Sequence, residues 1–135
     1  DATGGNGAAI RADASFVEIR RSSIRNATDS GPAGDREAIW ASGNGSMVVT
    51  NSTLSGNDGV GIRVLDGDLD LRHATLTGHT LQGVAYTRLN GRNLLIRNTA
   101  LTGNALGACI LTGGGNAGIA TDAYNLTQGT GCDLH

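Results

Sequence analysis

Large rings are almost missing from this 135-residue chain, which has one Trp, two Tyr and one Phe, so that aromatics make up only 3% of it. An ordinary globular core takes much of its buried area from such rings, so their scarcity points to a narrow core filled by Ile, Leu, Val and Ala. Proline occurs once, whereas glycine occurs 22 times. No stretch keeps apolar residues at i, i+3, i+4 and i+7 for three turns without meeting Gly, Asn or Thr, which argues against helix. The net charge of −2 comes with no basic block, so binding driven by phosphate neutralisation has no support and no nucleic-acid partner is expected. No apolar run approaches the roughly 20 residues that span a bilayer, so no transmembrane segment is expected. The chain opens on Asp1 rather than Met and shows no signal peptide. That fits a processed or excised piece of an exported protein, extracellular or on a bacterial cell surface. Its length suits one domain, residues 1–135.

What the chain does have is repetition. Met47-Val48-Val49-Thr50-Asn51-Ser52-Thr53-Leu54-Ser55-Gly56-Asn57 returns as Leu69-Asp70-Leu71-Arg72-His73-Ala74-Thr75-Leu76-Thr77-Gly78-His79. It returns again as Leu94-Leu95-Ile96-Arg97-Asn98-Thr99-Ala100-Leu101-Thr102-Gly103-Asn104, and a worn copy starts at Val17. The anchors Ile24, Leu54, Leu76 and Leu101 are 30, 22 and 25 residues apart, with Leu126 a further 25 along. A period in the twenties signals a stacked solenoid, each turn burying its inner face on its neighbours. Within a copy, period-two alternation marks a half-buried strand. A polar pair such as Asn51-Ser52 bends the chain, and Gly56, Gly78 and Gly103 mark a second corner where φ > 0 is expected. A further short strand follows in each turn, as in Ala38-Ile39-Trp40 and Gly83-Val84-Ala85-Tyr86. Asp66-Gly67 and Asn90-Gly91 resemble hairpin turns, but the regular period makes them coil corners. The expected architecture is all-β: a single-stranded parallel β-helix of about five coils of 22–30 residues, with residues 29–36 as an inserted loop.

Equivalent positions in such a coil stack about 4.8 Å apart. Two structural polar ladders are therefore expected, Asn51/His73/Asn98 and Asn57/His79/Asn104, with stacked side chains bonding one another as in cross-β ladders. The histidines are read as filling Asn slots, because no convergent Cys, His or carboxylate partners recur at ligand spacing. Cys109 and Cys132, about one coil apart, fall on neighbouring turns within disulfide reach, and a bridge there would contribute about 3 kcal/mol. Two unrelated thiols are the alternative.

Thr50-Asn51-Ser52-Thr53-Leu54-Ser55-Gly56-Asn57 resembles the "L-T-N-S-T-I-S-G-N" repeat of bacterial secreted right-handed β-helix proteins. Those are the pectate-lyase-like, choice-of-anchor and polymorphic-outer-membrane-type surface proteins. Ala123-Tyr124-Asn125-Leu126, between Cys109 and Cys132, is similar to that family's closing "G-Y-N-L" segment. The resemblance covers roughly residues 7–132 and implies right-handed winding, in line with the handedness of parallel crossovers. It specifies architecture and says little about activity, because one fold carries many functions.

The leading expectation is a secreted or cell-surface structural or adhesive module without catalysis or cofactor. Its partners would be further copies stacked end to end into a fibre, the remaining coils of a longer chain, or glycans. The alternative is a polysaccharide lyase, a glycoside hydrolase or a carbohydrate-binding β-helix. Asp68 and Asp70 share an outward face, Glu18 aligns with Asp70, and Arg20, Arg72 and Arg97 line the next column. A solvated set of ion pairs accounts for that surface more simply, and Asn-Thr-Asp, Asp-Asp and Gly-His-Gly motifs are absent. Trp40 and Tyr86, near aligned positions, are the candidates for sugar contact. Asp66, Asp68 and Asp70 form a weak calcium candidate that lacks the tandem nonapeptide and EF-hand patterns. Ice binding is not favoured, since Thr53, Thr75 and Thr77 are read as straddling a corner. Four Asn-x-Ser/Thr sequons, such as Asn51-Ser52-Thr53, arise readily from this composition.

Overall fold

A run of alternating aliphatic and polar residues hides its apolar face only when it lies in a sheet. The computed structural model, which describes residues 3–5, 8–29, 36–89, 91–114, 119–121, 124–129 and 131, shows how five such runs do so together. The chain starts with β1 (Thr3–Gly5), then lays down a first rung of β2 (Ile10–Asp13), β3 (Phe16–Arg20) and β4 (Ser23–Arg25), followed by β5 (Thr28–Asp29). The second rung is β6 (Glu37–Ser42), β7 (Ser46–Thr50) and β8 (Thr53–Ser55); the third is β9 (Val60–Leu65), β10 (Asp68–Arg72) and β11 (Thr75–Thr77). The fourth is β12 (Val84–Arg88), β13 (Leu94–Arg97) and β14 (Ala100–Thr102), and the fifth is β15 (Cys109–Gly113), β16 (Ile119–Thr121) and β17 (Leu126–Thr127). Among the described residues there is no helix, hence none long and apolar enough to cross a membrane.

All the pairing is parallel, in three five-stranded sheets ordered β2-β6-β9-β12-β15, β3-β7-β10-β13-β16 and β4-β8-β11-β14-β17. A short two-stranded sheet joins β1 to β5. Each rung gives one strand to each large sheet, so about four full turns connect the five rungs. Parallel pairing throughout rules out hairpins among the described residues; Asp66 turns a corner at φ +56 instead.

Register makes the core a set of columns. Ile10, Ile39, Ile62, Val84 and Cys109 stack in the first sheet, and Val17, Met47, Leu69 and Leu94 in the second. Ile24, Leu54, Leu76 and Leu101 stack in the third. The middle members are completely enclosed: Ile39, Ile62, Leu54, Leu76 and Leu101 expose nothing. Burying each of these side chains stabilises the fold by roughly 1.5–3 kcal/mol.

The column ends differently from the sequence reading. Leu101 pairs with Thr127, and Leu126 pairs with Ala100 and is exposed. Leu126 is therefore not the fifth anchor. Asn125 enters the corner slot of Thr99, which moves the register along by one residue.

Both corners are set by backbone conformation. Arg21, Asn51, His73 and Asn98 all take left-handed φ, at +48, +51, +49 and +48, and Gly56, Gly78 and Gly103 take +59, +67 and +63 at the next corner. Asn and Gly occupy that region at least cost. The exposed side chains of Asn51, His73 and Asn98 form no hydrogen bonds to one another, so this column is a stack of bends and not a side-chain ladder. The hydroxyls of Ser22, Ser52 and Thr99, one residue on, each donate to the carbonyl two residues earlier. Thr53 and Ser55 lie on one strand, as do Thr75 and Thr77, in direct register. They therefore share an outward face and do not straddle a corner. Of the inserted loop 29–36, Asp29 ends β5, Arg36 packs back through Asp58, and residues 30–35 lie outside the described residues.

Candidate functional site on the outward faces

The first sheet carries the densest outward chemistry. Arg11, Trp40, Arg63, Ala85 and Ile110 stand in one column. Arg11 lies over the indole of Trp40, with its guanidinium carbon 5.5 Å from the ring centroid. That distance suits a cation–π contact. One rung on, Arg63 Nε donates to Glu37 Oε1 at 2.5 Å, and the Glu37 side chain is only 1% exposed. Trp40 is thus a half-buried ring between two arginines, one exposed and one committed to a buried carboxylate. Arg11 also bonds Asp13, and the Ser42 hydroxyl with Arg11 holds the Asp13 carboxyl below its usual range. Sequence reasoning found Trp40 but missed Arg11, Arg63 and Glu37. The arginines could have been found by carrying the Ile39-Trp40 step onto Ile10-Arg11 and Ile62-Arg63.

Tyr86 does not join Trp40. It pairs with Val64 and Leu111 in an inward column, is 1% exposed, and donates its hydroxyl to the Gly67 carbonyl at 2.8 Å. Burial pushes its phenol up to about 12. It is a core residue and offers no surface to a sugar. Tyr86→Phe should lower stability by about 1 kcal/mol, because it leaves the Gly67 carbonyl without its buried donor. Urea denaturation of the two proteins reads this directly, and equal midpoints would show the bond to be idle.

Six of the described acidic residues each pair with an arginine. Glu18 pairs with Arg20 and Asp70 with Arg72, each two residues along the same strand, and Asp58 pairs with Arg36 at 3.2 Å. Asp68 accepts from the Asn93 backbone at 2.8 Å and faces Arg92 at 3.7 Å. The expected Glu18/Asp70 and Arg20/Arg72/Arg97 columns do form, and within them Glu18–Arg20 and Asp70–Arg72 pair along their own strands. Asp66 is buried at its corner, apart from this outward row, and no three His, Cys, Asp or Glu side chains among the described residues could hold a metal ion together. Asp66, Asp68 and Asp70 therefore do not form a calcium cage.

The second polar column is buried, and its bonds differ from the expected ladder. Asn57 does not bond His79 or Asn104; it reaches back to the preceding rung. Its Oδ1 accepts from the Ala27 N–H at 2.9 Å and its Nδ2 donates to the Ile24 carbonyl at 3.3 Å. Asn104 repeats this on the His79 N–H at 3.1 Å and the Leu76 carbonyl at 3.2 Å. Asn125 uses the same grip at the other corner, on the Thr99 N–H and the Ile96 carbonyl. One amide thereby satisfies a donor and an acceptor that the corner would otherwise bury unpaired.

His79 sits in this column with 1% exposure, and neither ring nitrogen closes a hydrogen bond. Burial pushes the imidazole down to about 4, while the nearby backbone of Asn57 and Leu54 pulls weakly the other way. Gly61 leaves room for the ring, since a Cβ there would lie 2.7 Å from Nε2.

Cys109 is buried at the end of the Ile10–Ile39–Ile62–Val84 column. Cys132 lies outside the described residues. Its neighbour Gly131 approaches Cys109 so closely that a Cβ would fall 1.6 Å from the Cys109 carbonyl oxygen.

A family model described as a right handed beta helix region matches residues 2–124. No curated protein and no solved structure shows significant similarity to the chain. With in-register parallel sheets on three sides and a match across nearly its whole length, the chain belongs to the right-handed β-helix family.

Proposed function

We propose that this solenoid is a non-catalytic structural or adhesive module of an exported protein, acting outside the cell or on its surface. One observation carries the reading. The carboxylates of Asp13, Glu18, Glu37, Asp58, Asp68 and Asp70 each face an arginine of their own. Hydrolysis by the usual route needs two carboxylates poised across one bond, and these are placed as ion-pair partners instead. Trp40, half-buried beside Arg11, is a ring available for a glycan. The close approach of Gly131 to Cys109 supports a Cys109–Cys132 bridge, which belongs in an oxidising compartment. Among the described residues β2, β3 and β4, like β15, β16 and β17, pair on one side only. Such edges accept further strands, from another copy or from further coils.

The test is a panel of neutral and acidic polysaccharides incubated with the purified chain, read for binding and for newly released chain ends. Retention that Trp40→Ala abolishes, with no new ends, is the expected result. Release of ends would move the chain to the lyase or hydrolase reading. Light scattering over a concentration series on the same preparation reads self-stacking, and a fixed monomer mass would remove the fibre.

A further inference from the structure

The buried polar column alternates in chemistry, with Asn57 and Asn104 gripping the rung before them and His79 between them gripping nothing. By the spacing of the column, the pair of groups that His79 should hold is the Asn57 N–H and the Leu54 carbonyl. A neutral imidazole has one acceptor and one donor, as an asparagine amide does, and so matches that pair. An imidazolium has two donors and a charge, and this ring is 1% exposed with neither nitrogen hydrogen-bonded, so the cation would lose its hydration without a full set of partners. We propose that His79 is an acid-sensitive joint, at which protonation parts the third rung from the second and opens the solenoid locally.

The surroundings give a cation little relief, because the Asn57 and Leu54 backbone favours it less than burial opposes it. The second rung presents the uncharged Asn57 and Leu54 backbone, and Gly61 at β9 brings no side chain. From the fourth rung Asn104 offers an amide oxygen already occupied by the His79 N–H. The adjoining Thr80 donates to Asp58, and that carboxylate is paired with Arg36. No charged side chain contributes to the state of the ring, and burial dominates it. His79 therefore stays neutral in the folded chain down to about pH 4, whereas in the unfolded chain it takes its proton near 6.5. Between those values the unfolded state binds more protons, so stability falls as pH falls. The unfolding constant from this group should rise by up to about tenfold per pH unit across that window.

The experiment compares the wild-type chain with His79→Asn, which restores both bonds, in urea titrations from pH 7 to pH 4. The wild type should lose stability steeply and the variant much less. Amide exchange at Thr80 and Leu81, which bond Asn57 and Gly59 across the joint, should quicken at pH 4.5 in the wild type only. Parallel loss in both proteins would overturn the proposal. Should His79→Asn not fold, an NMR titration of the wild-type histidines decides. His79 remaining neutral at pH 5.5 supports the joint; its protonation there in the intact fold removes it.

Discussion

Changing Gly59 to alanine should remove most of the folded protein at 37 °C, whereas the same change at Gly78 should be mild. Both glycines have positive φ, +107 and +67, but their surroundings differ. A Cβ at Gly59 would lie 1.7 Å from the Arg36 carbonyl oxygen, the group that accepts the Val60 N–H at 2.7 Å. The Gly59 N–H in turn donates to Thr80 Oγ1 at 2.6 Å. Relieving the clash means pulling apart two hydrogen bonds between rungs, beyond the 1–3 kcal/mol for a disfavoured conformation alone. A loss of about 4 kcal/mol or more is expected, in the range that marks a specific structural failure. Gly78 turns an open corner, where the nearest atom to a Cβ would be the Gly56 nitrogen at 3.7 Å. Its alanine variant should lose only about 1–2 kcal/mol, the left-handed cost itself. Thermal denaturation of both variants separates close approach from conformation, and equal losses would refute the distinction.

The contrast between these two glycines shows where the sequence was readable. Gly56, Gly78 and Gly103 recur at one place in the repeat, so their corner conformation follows from position. Gly59 has no counterpart at that interval, and its need comes from Arg36, a residue of another rung. The core columns were readable for the same reason as the corners: alternation and a period in the twenties force aliphatic residues to stack. Tyr86 was readable too, since it lies two residues beyond inward Val84 and shares its parity, whereas Trp40 lies one beyond Ile39. Judging the rings by their chemistry rather than by parity put Tyr86 outside. Leu126 misled through its apolar side chain, because the corner slot filled by Asn125 outweighed the burial of one leucine at the last rung. The Asn57–His79–Asn104 column was visible as a column, but its bonding was not. An Asn stack looks the same in sequence whether the amides bond one another or the backbone of the preceding rung.

The Glu37–Arg63 pair left no trace in the repeat, and its removal is the other change with a large expected effect. Glu37 is almost fully buried while Arg63 is 29% exposed, so the two residues stand in unequal environments. A carboxylate taken out of water needs a charged partner and hydrogen bonds to offset its lost hydration. Arg63→Met keeps much of the apolar stem that packs beside Trp40 but removes the guanidinium. The variant should lose about 3–5 kcal/mol, because a buried charge has lost its cation. Glu37→Gln in the same background should recover much of that loss, since the amide carries no charge to strand. The double-mutant cycle, read by urea denaturation, gives the coupling between the two residues. A loss below about 1 kcal/mol for Arg63→Met would put the pair in the class of surface ion pairs. Such a result would also mean that Arg63 is free to serve a ligand beside Trp40, which would strengthen the glycan-contact reading at the expense of a structural role for this arginine.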